Sequence, residues 1–231
     1  MALVSVLLIA LLLPESLPRE NRKQADGKIS MVNFQELWRA ISSPIGSLLV
    51  LIFLGTVGTS NFEAIFGIYA MDALSYSPQQ VGVVLTVVGF VAVIGRGLLT
   101  GLFTRQWGEA AVIQWALLAG AVTFLLLLMA NSYVAVLLTT GLFVLTTAFF
   151  RPAVHSLTSQ RATVGQGIAM GLSNSFVSLG RVVGPIWAGL VFDLNPKLPY
   201  LSGALILLAV FLWSLPWLNK GSLRTAHLEK G

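Results

Sequence analysis

Residues 44–71 read PIGSLLVLIFLGTVGTSNFEAIFGIYAM. A single charge, Glu63, interrupts the run. At about 1.5 Å of rise per residue, a helix of this length outreaches a hydrocarbon core roughly 30 Å thick. Ser43 before Pro44 supplies an N-cap followed by proline at the first helical position. The stretch therefore reads as a membrane-spanning helix. The same reading repeats to its C-terminal side. Ser77-Pro78-Gln79-Gln80 combines a capping box with that proline and opens a second span to about Thr104. Further apolar stretches cover roughly 110–130, 133–151 (ending near Pro152), 166–192 and 199–218. Short joints between them predict antiparallel sequential neighbours.

Composition agrees with a bilayer. Of 231 residues, 56% are hydrophobic and 10% charged, with a mean hydropathy of +0.84. Soluble domains carry about a quarter charged residues. The net charge of +5 reflects topology rather than nucleic-acid binding. Arg19, Arg22, Lys23, Lys28 and Arg39 precede residue 44, Arg105 follows the second span, Arg151 and Arg161 follow the fourth, and Lys220, Arg224 and Lys230 lie in the tail. The alternate joints hold only Lys197. Cytoplasmic loops collect Lys and Arg, so loop 14–43 and the C-terminus are expected on the cytoplasmic side of the cell membrane. The sequence has no cysteine and two histidines, His155 and His227, which argues against a metal site. No cofactor is expected. H-E-x-x-H, G-x-S-x-G and membrane-embedded aspartate pairs are all missing, so an intramembrane enzyme is not expected.

Residues 2–13, ALVSVLLIALLL, stop at Pro14 and are too short to span. They read as the end of a truncated membrane helix. A signal peptide is the rival, but there is no basic n-region and no A-x-A site. In loop 14–43, Asn33 and Glu36 have capping-box spacing, and Phe34, Leu37, Trp38 and Ile41 share one face. That pattern fits an amphipathic helix on the membrane surface or a linker helix packed on protein. Residues 44–218 form the bundle and 219–231 the tail.

Several polar groups lie where a bilayer disfavours them. Thr56, Ser60, Glu63 and Gly67 fall on one helical face. An acid at the bilayer centre costs about 2.5–3.5 kcal/mol on insertion scales, so Glu63 is read either as a carrier of protons or substrate, or as the partner of a buried arginine. Thr56, Ser60 and the adjacent Asn61, with Thr140, Phe143 and Thr147 on the fourth span, are the candidate path residues beside Glu63. Gly167, Gly171, Asn174, Ser178, Arg181 and Pro185 share a small, polar face; Arg181 binds an anionic group or pairs with an acid. Arg96 sits near the cytoplasmic end of its span and can snorkel. Gly97 and Gly101, and Gly180 and Gly184, have GxxxG spacing, which allows close helix approach. The second and fifth spans are therefore candidates for contact with a neighbouring bundle.

With those residues in view, the chain resembles the C-terminal half of a twelve-helix, drug-efflux member of the major facilitator superfamily. Leu13-Pro14-Glu15-Ser16-Leu17-Pro18 is similar to the Pro-Glu-Thr-Leu-Pro run after the family's sixth helix. Gly180-Arg181-Val182-Val183-Gly184-Pro185, with Gly189 after it, is similar to the antiporter Gly-Pro motif. The run from Gly101 to Gly108 lies where the family repeats its Gly-x-x-x-Asp-Arg-x-Gly loop, with Arg105 in place of the aspartate and Gln106 in place of the arginine. The resemblance implies an all-α, polytopic fold of two inverted three-helix repeats, 44–130 and 133–218. It implies proton-coupled export of a small organic molecule, with the first and fourth spans lining the path. It also implies an N-terminal half, or a second copy, as partner. A non-transporting fragment is the alternative.

Overall fold

The structure, a computed structural model, describes Trp38 and residues 41–228. The expectations for 1–13, and for most of 14–43, lie outside the described residues. Trp38 is helical and exposed, as is Ile41.

The first helix, α1 (Pro44–Asp72), starts as its sequence predicts, with the Ser43 hydroxyl accepting from the Ile45 amide. Helix α2 (Pro78–Ile94) opens on a complete capping box: the Gln80 amide donates to Ser77 Oγ, and the Ser77 amide to Gln80 Oε1. It continues through a five-residue π-helical turn, Gly95–Leu99, into α3 (Thr100–Met129). The chain reverses at Gly108, whose φ of 76° and ψ of 159° break the helix. This is a backbone region that only glycine enters readily. The second span therefore ends at about Trp107, and the third begins after Gly108.

Helices α4 (Tyr133–Ala148) and α5 (Phe150–Arg161) follow almost without a break. Together they make one apolar helical segment, Tyr133–Arg161. The sequence reading stopped this span at Pro152, and the structure corrects it. Pro152 falls in the first turn of α5, where a helix tolerates proline. Arg151 is consequently inside a helix rather than in a joint. Helix α6 (Gln166–Phe192) contains Pro185. Helix α7 (Leu198–Leu228) contains Pro216 and runs on past the apolar stretch, which ends at Leu218. Residues 219–228, read as a tail, continue the helix.

Six helical segments are long and apolar enough to cross a membrane, and no strand occurs among the described residues. The all-α, polytopic architecture expected from the sequence is what the chain forms. Helix α1 is the central one, packed on α6, α7 and α5. Its C-terminal half enters an aromatic core. Phe143 lies with its ring centre 4.3 Å from Phe124 and 4.8 Å from Phe62, and Tyr69 lies 4.6 Å from Tyr200. Such pairs contribute about 0.5–1.5 kcal/mol each beyond the area they bury. Helices α2 and α6 are the opposite case. Phe90 and Val93 on α2 and Val182 and Ile186 on α6 are exposed.

Candidate functional site

Glu63 is not buried against a neighbour. It opens into a cleft of about 30 Å³ with Thr59, Arg96, Thr147, Ala148, Phe150 and Arg151. That volume holds roughly two waters. Each wall has a local origin. Thr59 and Glu63 are one turn apart on α1. The π-helical turn after α2 carries Arg96. The near-continuous junction of α4 with α5 carries Thr147, Ala148, Phe150 and Arg151. Gly95 lets this turn approach α4, since a Cβ there would sit 3.0 Å from the Cβ of Ala148. A π turn of this kind often marks a functional site.

The guanidinium of Arg151 is half-buried and interacts electrostatically with Glu63, Arg96 and Arg181. Arg96 lines the cleft, and Arg181, exposed on α6, lies outside that lining but within electrostatic range of Arg151.

The remaining candidate path residues divide. Thr147 lines the cleft, with its hydroxyl donating to the Phe143 carbonyl at 2.8 Å. Thr56 and Ser60 do not share the opening of Glu63. Both are buried against α6, where a Cβ on Gly180 would sit 2.8 Å from Thr56 Cβ, and one on Gly184 would sit 2.9 Å from Ser60 Cβ. The single polar stripe expected on α1 is thus split between a packed seam and a cleft. Asn61 is buried and tied to α7, its Nδ2 donating to the Pro199 carbonyl at 2.6 Å. Thr140 and Phe143 are buried in the core. The hydroxyls of Thr56, Ser60 and Thr140 and the Asn61 Oδ1 are buried without a hydrogen-bond partner among the described residues.

The glycine stripes divide in the same way. Gly180 and Gly184 pack on α1 within this chain and not, as expected, on a neighbouring bundle. Among the described residues, nothing lies within 4 Å of a Cβ added to Gly97 or Gly101. The other face of α6, with Gly167, Gly171, Asn174, Ser178, Arg181 and Pro185, is exposed along its length.

Sequence reasoning missed Arg151 and Thr59, while the helical face that carries Thr140, Phe143 and Thr147 also carries Phe150. The signal for Arg151 was available, because a proline is compatible with a helix's first turn. Thr59 carried none beyond its place in an apolar run.

The sequence has known relatives. The chain is 28% identical over 220 residues to multidrug resistance protein 2 of Bacillus subtilis, covering 95% of this chain and 55% of the relative. It is 31% identical over 162 residues to quinolone resistance protein NorA of Staphylococcus aureus, covering 70% and 41%. Multidrug resistance protein 1 of Bacillus subtilis is 28% identical over 216 residues, covering 94% and 54%. The chain spans about half the length of these relatives. The model of one family matches from the first apolar helix to the end of the last, residues 48–230, and with six apolar helical segments this makes the chain a multi-pass membrane member of the Major Facilitator Superfamily.

Proposed function

We propose that this chain is one bundle of a secondary transporter that exports small organic, drug-like molecules in exchange for protons. The observation that carries the reading is the exposure of Glu63 in a cleft between α1, the turn after α2, and α4 with α5. A carboxylate sealed against an arginine would be a structural pair. One with open space beside it can take and release a proton as the site changes its exposure. Substrate and proton then compete for the same charged cleft, and this competition couples their movements. Thr59 and Thr147 supply the hydroxyl lining. The names of the relatives, multidrug resistance protein and quinolone resistance protein, support the drug-like substrate class.

Alternating access requires a second bundle to move against this one. It comes from an N-terminal half or from a second copy. The exposed face of α6 and the open glycines Gly97 and Gly101 are its docking surface. The two repeats, 44–130 and 133–218, supply the inverted symmetry. The cell membrane is the location, with 14–43 and the C-terminus on the cytoplasmic side.

The test is flux in proteoliposomes holding this chain together with an N-terminal half, using a panel of fluorescent organic molecules and an imposed pH gradient. Movement should follow the gradient and stop with a protonophore. Glu63→Gln should abolish the pH-driven component. No pH-driven movement with the full assembly, or coupling unchanged in Glu63→Gln, defeats the proposal. Flux by this chain alone would select the second-copy arrangement.

A further inference from the structure

A second space lies behind the junction of α4 and α5. Thr147, Ala148, Phe150 and Arg151 line the Glu63 cleft, whereas Thr146 and Phe149 line a separate pocket of about 140 Å³. One helical wall thus serves both. The buried Val112 and Ala116 of α3 form the pocket's floor. Phe103 and Phe149 stand half-buried at its sides, and the exposed rings of Trp107 and Trp115 frame its mouth. Phe103 ties the aromatic set together, with its ring centre 5.1 Å from that of Trp107 and 5.3 Å from that of Phe149. Among the described residues, no charged side chain lines the pocket. Thr146 brings the one hydroxyl there, and it donates to the Phe143 carbonyl at 2.9 Å. Glu109, one turn before Val112, is held by α5, accepting from Ser156 Oγ at 3.0 Å and from Gln160 Nε2 at 2.7 Å.

We propose that this pocket binds an uncharged aromatic ring of benzene size, dissolved in the bilayer, at a site separate from the Glu63 cleft. The inference does not rest on the transport reading.

Size, charge and ring geometry select that occupant together. A dry apolar cavity of about 150 Å³ accepts benzene, and this pocket has nearly that volume. Its walls offer no ion and no free hydroxyl, so a charged or strongly polar ligand would lose its hydration without compensation. Aromatic rings attract one another at centre distances of about 4.5–7 Å in tilted or edge-on arrangements. Phe103, Trp107 and Phe149 already stand at such spacings, and an entering ring extends the set. An acyl chain fills the same space without that gain. Tryptophans at a membrane interface need no ligand. Here, however, the two stand in front of further rings with open volume between them.

The test is photolabelling of the full chain, together with an N-terminal half, in phosphatidylcholine nanodiscs. The probes are a phenyl diazirine and a hexyl diazirine with the same trifluoromethyl head, located residue by residue by mass spectrometry. Leu212, exposed on α7, reports simple partitioning into lipid. The phenyl probe should label Phe103, Trp107 or Trp115 saturably, and toluene at roughly ten times its own dissociation constant should lower that labelling about tenfold. Labelling of Leu212 should rise in proportion to the probe and ignore toluene. The competition is decided on the natural chain, without any variant. Ala119→Phe sets a ring of the chain's own at the pocket wall and should remove the saturable part. Labelling of the tryptophans that never saturates, or a saturable part that survives Ala119→Phe, overturns the proposal. So does hexyl labelling there that saturates equally and that toluene displaces, since the occupant would then be an acyl chain. None of these readouts involves protons or flux, so failure here leaves the transport reading intact, and failure of pH-driven flux leaves this site intact.

Discussion

Two stretches of this chain share the GxxxG spacing and have opposite surroundings. On α6, Gly180 and Gly184 form a notch filled by Thr56, Ser60 and the backbone of α1. On the second span, Gly97 and Gly101 form a notch that nothing fills among the described residues. Part of the difference is local. Gly97 lies within a π-helical turn, which breaks the α-helical repeat that would align it with Gly101. The larger part is tertiary. Helix α6 runs alongside the central helix in parallel, so that Ala169, Gly180 and Gly184 meet successive turns of α1, from the layer of Ile45 and Leu49 to Ser60. The second span is fixed mainly through α4 and keeps its outer face free. Small-residue spacing thus provides for close approach without naming the partner.

The comparison breaks most readily at Gly184. Gly184→Leu places a large side chain against Ser60 and the Val57 carbonyl, and overpacking against backbone costs typically 1–3 kcal/mol, or more when nothing can yield. Loss of the folded bundle, or a markedly lower unfolding midpoint in detergent, is the expected outcome. Gly180→Ala, a single methyl group against Thr56 and the Phe53 carbonyl, should cost about 1–2 kcal/mol by the same measurement. Thr56→Val removes a buried hydroxyl that has no partner and keeps its shape, so stability should hold or rise by up to about 1 kcal/mol. Gly97→Leu should shift the stability of this bundle by no more than about 0.5 kcal/mol, because it meets open space. If Gly97→Leu proved as damaging as Gly184→Leu, the contrast would fail.

The smallest effect concerns how the N-terminal end of α2 is held. Tyr76, in the joint between α1 and α2, packs edge-on against Tyr133 with ring centres 5.4 Å apart, and the Tyr133 hydroxyl donates to the Gln80 carbonyl. Burial, and then the neighbouring Tyr133, push the Tyr76 phenol above its ordinary value of 10.0. A raised value in the folded state favours the neutral phenol. The stability it brings is therefore complete below pH 10.0 and is lost as pH rises through the higher folded value. Alkaline unfolding profiles should show this loss in the natural chain and lack it in Tyr76→Phe.

Much of the architecture was legible from local patterns. The capping serines at 43 and 77, each followed by proline, start helices where the sequence places them. The span 166–192 coincides with α6. Proline was the misleading signal at 152, where the reading ended a helix that the chain continues. At the candidate site, periodicity placed Thr56, Ser60 and Glu63 on one arc of α1, and they do lie on one arc. That arc is divided between α6, which buries two of them, and the cleft, which leaves the carboxylate open. No helical repeat within α1 contains that division, because it depends on where α6 stops covering the arc. Arg151 joined the cleft only once the junction of α4 and α5 was known to be nearly continuous.

The sequence by itself determined that this chain is a set of apolar helices, where most of them begin, and that a few ionisable groups lie within them. Transfer of side chains to lipid, helix capping and backbone hydrogen bonding all act over a few residues, so local composition suffices to specify them. Only the tertiary structure decided which glycine notch is filled, which hydroxyls are sealed, and that one carboxylate shares a cleft with the arginines of two other helical segments. Those outcomes depend on contacts between segments distant in sequence, where each helix offers several usable faces and its neighbours select among them.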